Sequence, residues 1–173
     1  HSTSLAEERF WPMDETRVVL CTSGSGGVPK PIRLSTGQIL FNAFGSAIRL
    51  GIEENDRWLC CLPLSHVGGL SILLRSAIYG TTLILHDSFD AAEVGRSLDG
   101  GEIELISLVP TMLARVLDAR EEKPFPPSLR AILVGGAPMS EELRIRCAAL
   151  DAPVAPTWGM TECASQAATG WPG

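Results

Sequence analysis

Six short, nearly continuous apolar runs recur along this chain, and helical patterns or glycine-rich turns separate them. They are Arg17 to Cys21 (RVVLC), Arg57 to Leu62 (RWLCCL), Thr81 to Leu85 (TTLIL), Ile103 to Val109, Leu129 to Val134 (LRAILV) and Val154 to Thr157. A strand with one wet face alternates apolar and polar residues. A strand that is apolar throughout is covered on both faces, which is the situation of a parallel sheet between helical layers. The intervening stretches supply those helices. Ser35 and Gln38 have capping-box spacing, apolar residues follow at Ile39, Leu40, Ala43, Ala47 and Ile48, and Gly51 stands where a C-cap belongs. Further helices are predicted from about Gly69 to Tyr79, from Ala91 to Leu98, from Pro110 (suited to a first turn) to Asp118, and after Ser140, with Glu141 and Glu142 in the first turn. Lys123 to Pro127 reads as a rigid loop. The predicted fold is therefore α/β, a mainly parallel sheet with helices on both faces. No internal repeat is visible.

Composition narrows the function. The formal charge of −6 and the lack of a Lys/Arg cluster argue against a nucleic-acid surface. No run approaches the roughly 18 apolar residues of a membrane span, and no signal peptide opens the chain. Five cysteines without a C-x-x-C pair, and three scattered histidines (His1, His66, His86), give no zinc spacing. They fit buried free thiols in a reducing, cytoplasmic setting. Residues 1–13 read as a polar leader, opening with His1-Ser2-Thr3-Ser4 in the manner of a cloning remnant, and residues 14–173 as one subdomain.

In a parallel sheet, ligands sit at the carboxyl ends of the strands. Three glycine-bearing turns follow strands here: the stretch after the first run, Gly135-Gly136 after the fifth, and Trp158-Gly159 after the sixth. The first, Thr22 to Lys30, packs three hydroxyls, three glycines and a lysine into nine residues. Glycines let backbone N–H groups approach a ligand, hydroxyls donate to oxyanions, and lysine adds a point charge, so the chemistry is that of a polyphosphate cradle. Pro29 and Pro31 exclude a Walker loop. Ser23 in place of the first glycine excludes a nucleophile elbow around Ser25, and with it a serine hydrolase using Ser25 and His66. An ordinary Gly/Ser connector is the structural alternative.

The loop resembles the TSGTTGxPKG signature of adenylate-forming (AMP-binding) enzymes, the acyl-CoA synthetase superfamily. Thr22, Ser23, Gly24, Gly27, Pro29 and Lys30 match, Ser25 matches conservatively, and Gly26 and Pro31 depart from the usual Thr and Gly. Loss of the hydroxyl at Gly26 removes one charge-assisted contact, worth ~1–3 kcal/mol. Trp158-Gly159-Met160-Thr161-Glu162 resembles the family's YGxTE motif. Gly135-Gly136-Ala137-Pro138 resembles its GGxP segment, and Leu62 to His66 its LPLxH segment. The resemblance implies that the loop holds the β- and γ-phosphates of ATP and that Thr161 contacts the α-phosphate. It also implies that Glu162 holds Mg²⁺, that Gly136, Ala137 and Trp158 wall the adenine, and that His66 lies near the reacting carboxylate. Ile106 to Leu113, Leu129 to Pro138 and Gly159 to Thr169 are similar to the o-succinylbenzoate–CoA ligases within that family, where a Ser-Gln pair, here Ser165-Gln166, faces the acyl group.

The implied chemistry is ATP-dependent activation of a small carboxylate as acyl-AMP and transfer to CoA, in menaquinone biosynthesis. No residue matches the family's ribose-binding acid, its hinge or its C-terminal catalytic lysine. The segment reads as an AMP-binding subdomain truncated at both ends, inactive alone, with bare apolar surface that a homodimer could cover. The alternative is a non-catalytic nucleotide- or acyl-binding module that associates with a partner chain.

Overall fold

The computed structural model describes residues 11–23 and 29–172. The first element departs from expectation. β1 (Thr16–Ser23) is a strand, as its apolar run requires, but it belongs to a separate antiparallel ribbon with β2 (Pro29–Ser35), in register Leu20↔Ile32 and Thr22↔Lys30. β2 was not expected, because Pro29 and Pro31 read as loop residues. A two-stranded ribbon has only edges, where missing N–H donors are tolerated. Its alternation does the rest: Ile32 and Leu34 are buried, while Pro31 and Arg33 beside them are exposed.

α1 (Thr36–Leu50) begins at the predicted capping box. Ser35 Oγ accepts from Gln38 N at 3.2 Å, Gln38 Oε1 accepts from Ser35 N at 2.9 Å, and Gly51 ends the helix at φ 75°. The chain then runs β3 (Arg57–Cys60), α2 (Val67–Tyr79), β4 (Thr82–Leu85), α3 (Ala91–Asp99), β5 (Leu105–Leu108), α4 (Pro110–Ala119), β6 (Ala131–Val134), α5 (Glu141–Ala149) and β7 (Val154–Met160). A 3₁₀ turn, η1 (Thr161–Cys163), leads into β8 (Ser165–Thr169). The sheet order is β4-β3-β5-β6-β7-β8, parallel throughout except for the β7–β8 pair. The parallel α/β expectation therefore holds from β3 to β7.

Period-2 alternation splits the core into two layers. Leu59, Ile106, Leu108, Ile132 and Val134 meet Val94, Leu98, Leu113, Val116 and Leu143 of α3, α4 and α5. Trp58, Cys60, Leu105 and Leu133 face the other way, toward Leu50 and Ile72 of α1 and α2. Each fully buried Leu or Ile contributes roughly 1.5–3 kcal/mol. Charged residues at the amino ends of the strands are paired: Asp56 takes Arg130 through Nε at 3.0 Å and Nη2 at 2.6 Å, and Glu104 takes Arg57. Among the described residues no helix is long and apolar enough to cross a membrane. On its outer side α1 carries Phe41, Phe44 and Ile48, which are 70%, 55% and 84% exposed and one helical turn apart.

Candidate functional site

Because β4 lies outside β3, the chain reverses direction across the sheet between β3 and β5, and a crevice opens at the carboxyl ends there. A cleft of about 280 Å³ occupies it, on the α1/α2 side. Ser107 to Val109 at the end of β5, Gly135 and Gly136 after β6, Thr157 to Thr161 of β7 and η1 (Trp158 excepted), and the start of α2 line it, closed by Ser165 and Gln166.

The glycines are there for space. A Cβ on Gly135 would lie 2.5 Å from Thr157 Oγ1, and one on Gly159 would lie 1.9 Å from the carbonyl oxygen of Ser165. Gly136 adopts φ 80°. The close approach at Gly159 arises because the chain doubles back after η1 through two non-glycine residues with positive φ, Ala164 (56°) and Ser165 (116°). Such conformations cost about 1–3 kcal/mol each and persist only where surrounding contacts hold them. Here Ser71 and Ser165 share a hydroxyl–hydroxyl bond at 3.2 Å, Asn42 Nδ2 donates to Cys163 O and Gln166 O at 2.8 Å each, and Ala164 is buried against the ribbon.

The sequence-selected residues do not all share the cleft. Gly135, Gly136, Gly159, Met160, Thr161, Ser165 and Gln166 line the one cleft. Lys30 and Glu162 meet on its exposed margin, Lys30 Nζ lying 3.7 Å from Glu162 Oε1, so the ribbon and the η1 turn bring the two signature motifs together. Gln38 Nε2 donates to the Glu162 carbonyl at 3.0 Å and holds that turn to α1. His66, Ala137, Pro138 and Trp158 are exposed and do not line the cleft, although His66 precedes the lining residues Val67 and Gly68. Thr22 pairs with Lys30 in the ribbon, its Oγ1 3.4 Å from the Lys30 carbonyl, and Ser23 ends β1. Gly24, Ser25 and Gly27 lie outside the described residues. One boundary is corrected: Trp158 and Gly159 do not follow the sixth strand but sit inside β7, which β8 extends by pairing with Thr157 to Met160. The alternation of β7 turns the Trp158 ring, 60% exposed, away from the cleft.

Among the described residues no three His, Cys, Asp or Glu side chains cluster as a metal site. Glu162 fits Mg²⁺ only in the way that ion is held in nucleotide sites, through one carboxylate with phosphate oxygens and water completing the shell.

Sequence reading missed Arg75. It lies on α2, is 2% exposed, and lines the cleft. Nη2 donates to Asn42 Oδ1 at 2.6 Å, Nε has no partner, and among the described residues no carboxylate forms an ion pair with it. Its guanidinium stands 5.7 Å from the centre of the Trp58 ring, whose Nε1 donates to Ser107 Oγ at 3.3 Å. Burial pushes the arginine down from its usual value to about 10, against a smaller upward pull from Tyr79. A buried cation without an anion costs several kcal/mol and is the kind of group a bound anion relieves. The signal that could have found it was a lone charge inside the apolar helical run Ile72 to Ile78.

The fold is thus that of an α/β protein with a glycine-lined crevice at the switch point of its parallel sheet, the place where such sheets take ligands. The chain belongs to the AMP-binding enzyme family, whose sequence profile matches residues 3–173. It is similar to the 2-succinylbenzoate–CoA ligase of Bacillus subtilis, 43% identical over 162 residues (94% of this chain and 33% of that protein), and to that of Bacillus licheniformis, 43% identical over 157 residues (91% and 32%). It also superposes on the solved o-succinylbenzoate CoA synthetase of B. subtilis in complex with ATP and magnesium ion, with TM-score 0.89 and 42% identity over 99% of this chain and 36% of that one. The same protein with the acyl-adenylate intermediate gives TM-score 0.88 at 43% identity, over 94% and 33%. The chain spans about a third of the length of the curated relatives it matches.

Proposed function

We propose that this chain is the nucleotide- and acyl-binding core of an acid–thiol ligase that activates o-succinylbenzoate with ATP and passes it to CoA. The observation that carries this reading is the meeting, in one cleft, of the Gly135/Gly159/Thr161 motif residues with the buried cation Arg75, which has no anionic partner among the described residues. In the reaction, a carboxylate oxygen of the acid attacks the α-phosphorus of ATP. Pyrophosphate leaves with the bond electrons, and the CoA thiol then displaces AMP from the acyl carbon. Thr161 donates its hydroxyl to the α-phosphate. Lys30 exchanges Glu162 for the β- and γ-phosphates, and Glu162 turns to the magnesium that arrives with the nucleotide and neutralises phosphate charge. Ala137 and Trp158 present exposed surface to the adenine, and His66 flanks the acyl entrance at the start of α2. Arg75, Ser165 and Gln166 take the acid's second carboxylate. A dicarboxylic substrate explains why a guanidinium is kept in an otherwise apolar floor, where a fatty acyl chain has no use for it.

The unpaired cysteines, three of them buried, support a reducing, cytoplasmic setting. The exposed Phe41/Phe44/Ile48 face supports a second reading in which the segment acts while docked on another surface, a second copy or a partner chain. Calorimetric titration with AMP, MgATP and o-succinylbenzoate tests the binding proposal. The expected dissociation constants are high-micromolar to millimolar, roughly −4 to −6 kcal/mol. Absence of heat with all three overturns it. Pyrophosphate release and light scattering separate the ligase and docked-module readings.

A further inference from the structure

Asn42 lies outside every motif, in the middle of α1, yet its amide is fully used across three distant elements. Oδ1 accepts from Arg75 Nη2 on α2, and Nδ2 donates to the carbonyls of Cys163 and Gln166, which lie on either side of the positive-φ residues Ala164 and Ser165. An amide offers two N–H donors and one oxygen, and here each donor meets an acceptor and the oxygen meets a donor. The flipped amide would set its NH₂ against the guanidinium and its oxygen against two carbonyls, so its orientation is determined. Arg75 has no other hydrogen-bond partner among the described residues, and its one acceptor is neutral. A carboxylate at position 42 would orient the guanidinium equally well but would cancel its charge. An apolar residue would leave both the charge and the strained turn unsupported.

We propose that Asn42 is a positioning residue for the cleft: it holds the Arg75 guanidinium, charge intact, toward the acyl carboxylate, and with the same amide pins the Cys163–Gln166 turn that presents Ser165 and Gln166. The inference rests on the reading that Arg75 takes the acid's second carboxylate.

The test uses two probes, o-succinylbenzoate and 4-oxo-4-phenylbutanoate, which lacks the ring carboxylate. Their affinity ratio is measured in the wild type, Arg75→Met, Asn42→Asp and Asn42→Ser. The wild type prefers the diacid by about tenfold or more, the size of one charge-assisted contact. In Asn42→Asp the ratio collapses to within about twofold, because the new anion occupies Arg75, and in Asn42→Ser it falls by about fivefold as the guanidinium loses its fixed partner. A residue that only supported the fold would weaken both probes together and leave the ratio alone. An unchanged ratio in either folded Asn42 variant, with Arg75→Met abolishing it, overturns the role of Asn42 and leaves the Arg75 assignment standing. No diacid preference in the wild type, or one that survives Arg75→Met, overturns the assignment of Arg75 and this inference with it.

Discussion

Arg75 sets the sharpest opposition between stability and function at the scale of one residue. A guanidinium that is 2% exposed and has no anionic partner among the described residues is penalised in the folded state, so Arg75→Met should leave unfolding stability undiminished and can raise it by up to about 2 kcal/mol. Urea denaturation measures that, while the same variant loses o-succinylbenzoate binding. The pH sign follows from the depressed value. The folded group titrates near about 10, below its value in the unfolded chain, so above that point the unfolded chain holds more protons, and this group's contribution to stability rises with pH there. Diacid affinity should fall over the same window, as the charge that attracts the carboxylate disappears. Affinity that holds constant as the pH is raised through that range would separate Arg75 from the acid. The Lys30–Glu162 pair behaves differently. Both side chains are about half exposed or more, so the pair contributes about 0–1 kcal/mol and breaks readily when phosphates arrive. Lys30→Ala should cost little stability, weaken ATP and leave AMP nearly untouched. Equal loss of both nucleotides in calorimetry would refute the loop's assignment to the β- and γ-phosphates.

At the scale of the element, the β7–η1–β8 turn is the part of the fold with the least freedom. Gly159→Ala would drive a Cβ into the Ser165 carbonyl, and the only relief is to part β7 from β8. The expected cost is about 3 kcal/mol, with loss of nucleotide binding. Gly45→Ala is the control. A Cβ there meets nothing within 4 Å in the interior of α1, so alanine's greater helix preference should stabilise by roughly 0.5–1 kcal/mol. Thermal denaturation of the two variants should therefore move in opposite directions. Shifts of the same sign would show that the turn is looser than its geometry requires.

For the whole molecule, the two-layer core makes a prediction about its thiols. Cys60, Cys61 and Cys147 are buried, and burial raises all three, Cys61 to about 12, while Cys21 and Cys163 are exposed. An aromatic disulfide reagent at pH 8 should modify two thiols in the native protein and five after denaturation; a third fast thiol would mean that the sheet opens locally. This core was legible in advance wherever neighbours along the chain decide the outcome. Ser35 with Gln38, Pro110, Ser140 and Gly51 marked helix ends through local hydrogen bonds and backbone angles. Unbroken apolar runs marked strands that must be covered on both faces. The glycine turns at Gly135 and Gly159 were legible too, because a close backbone approach admits no side chain at those positions. What the chain could not announce locally was partnership. β2 and β8 carry polar residues and prolines whose strand form depends on β1 and β7 lying alongside, and β7 runs through Trp158 only because β8 pairs with it. Arg75 read as one charge in a helix until folding placed it beside Asn42, 33 residues away in sequence, and Asn42 within reach of carbonyls 121 and 124 residues away. Sequence alone thus determined the helices, the strands of the parallel sheet and the glycine turns that follow them, since these depend on local sterics and chemistry. The tertiary structure alone decided which strands pair, which motif residues share the cleft and which charge stays uncancelled, because each of these is a contact between residues far apart in the chain.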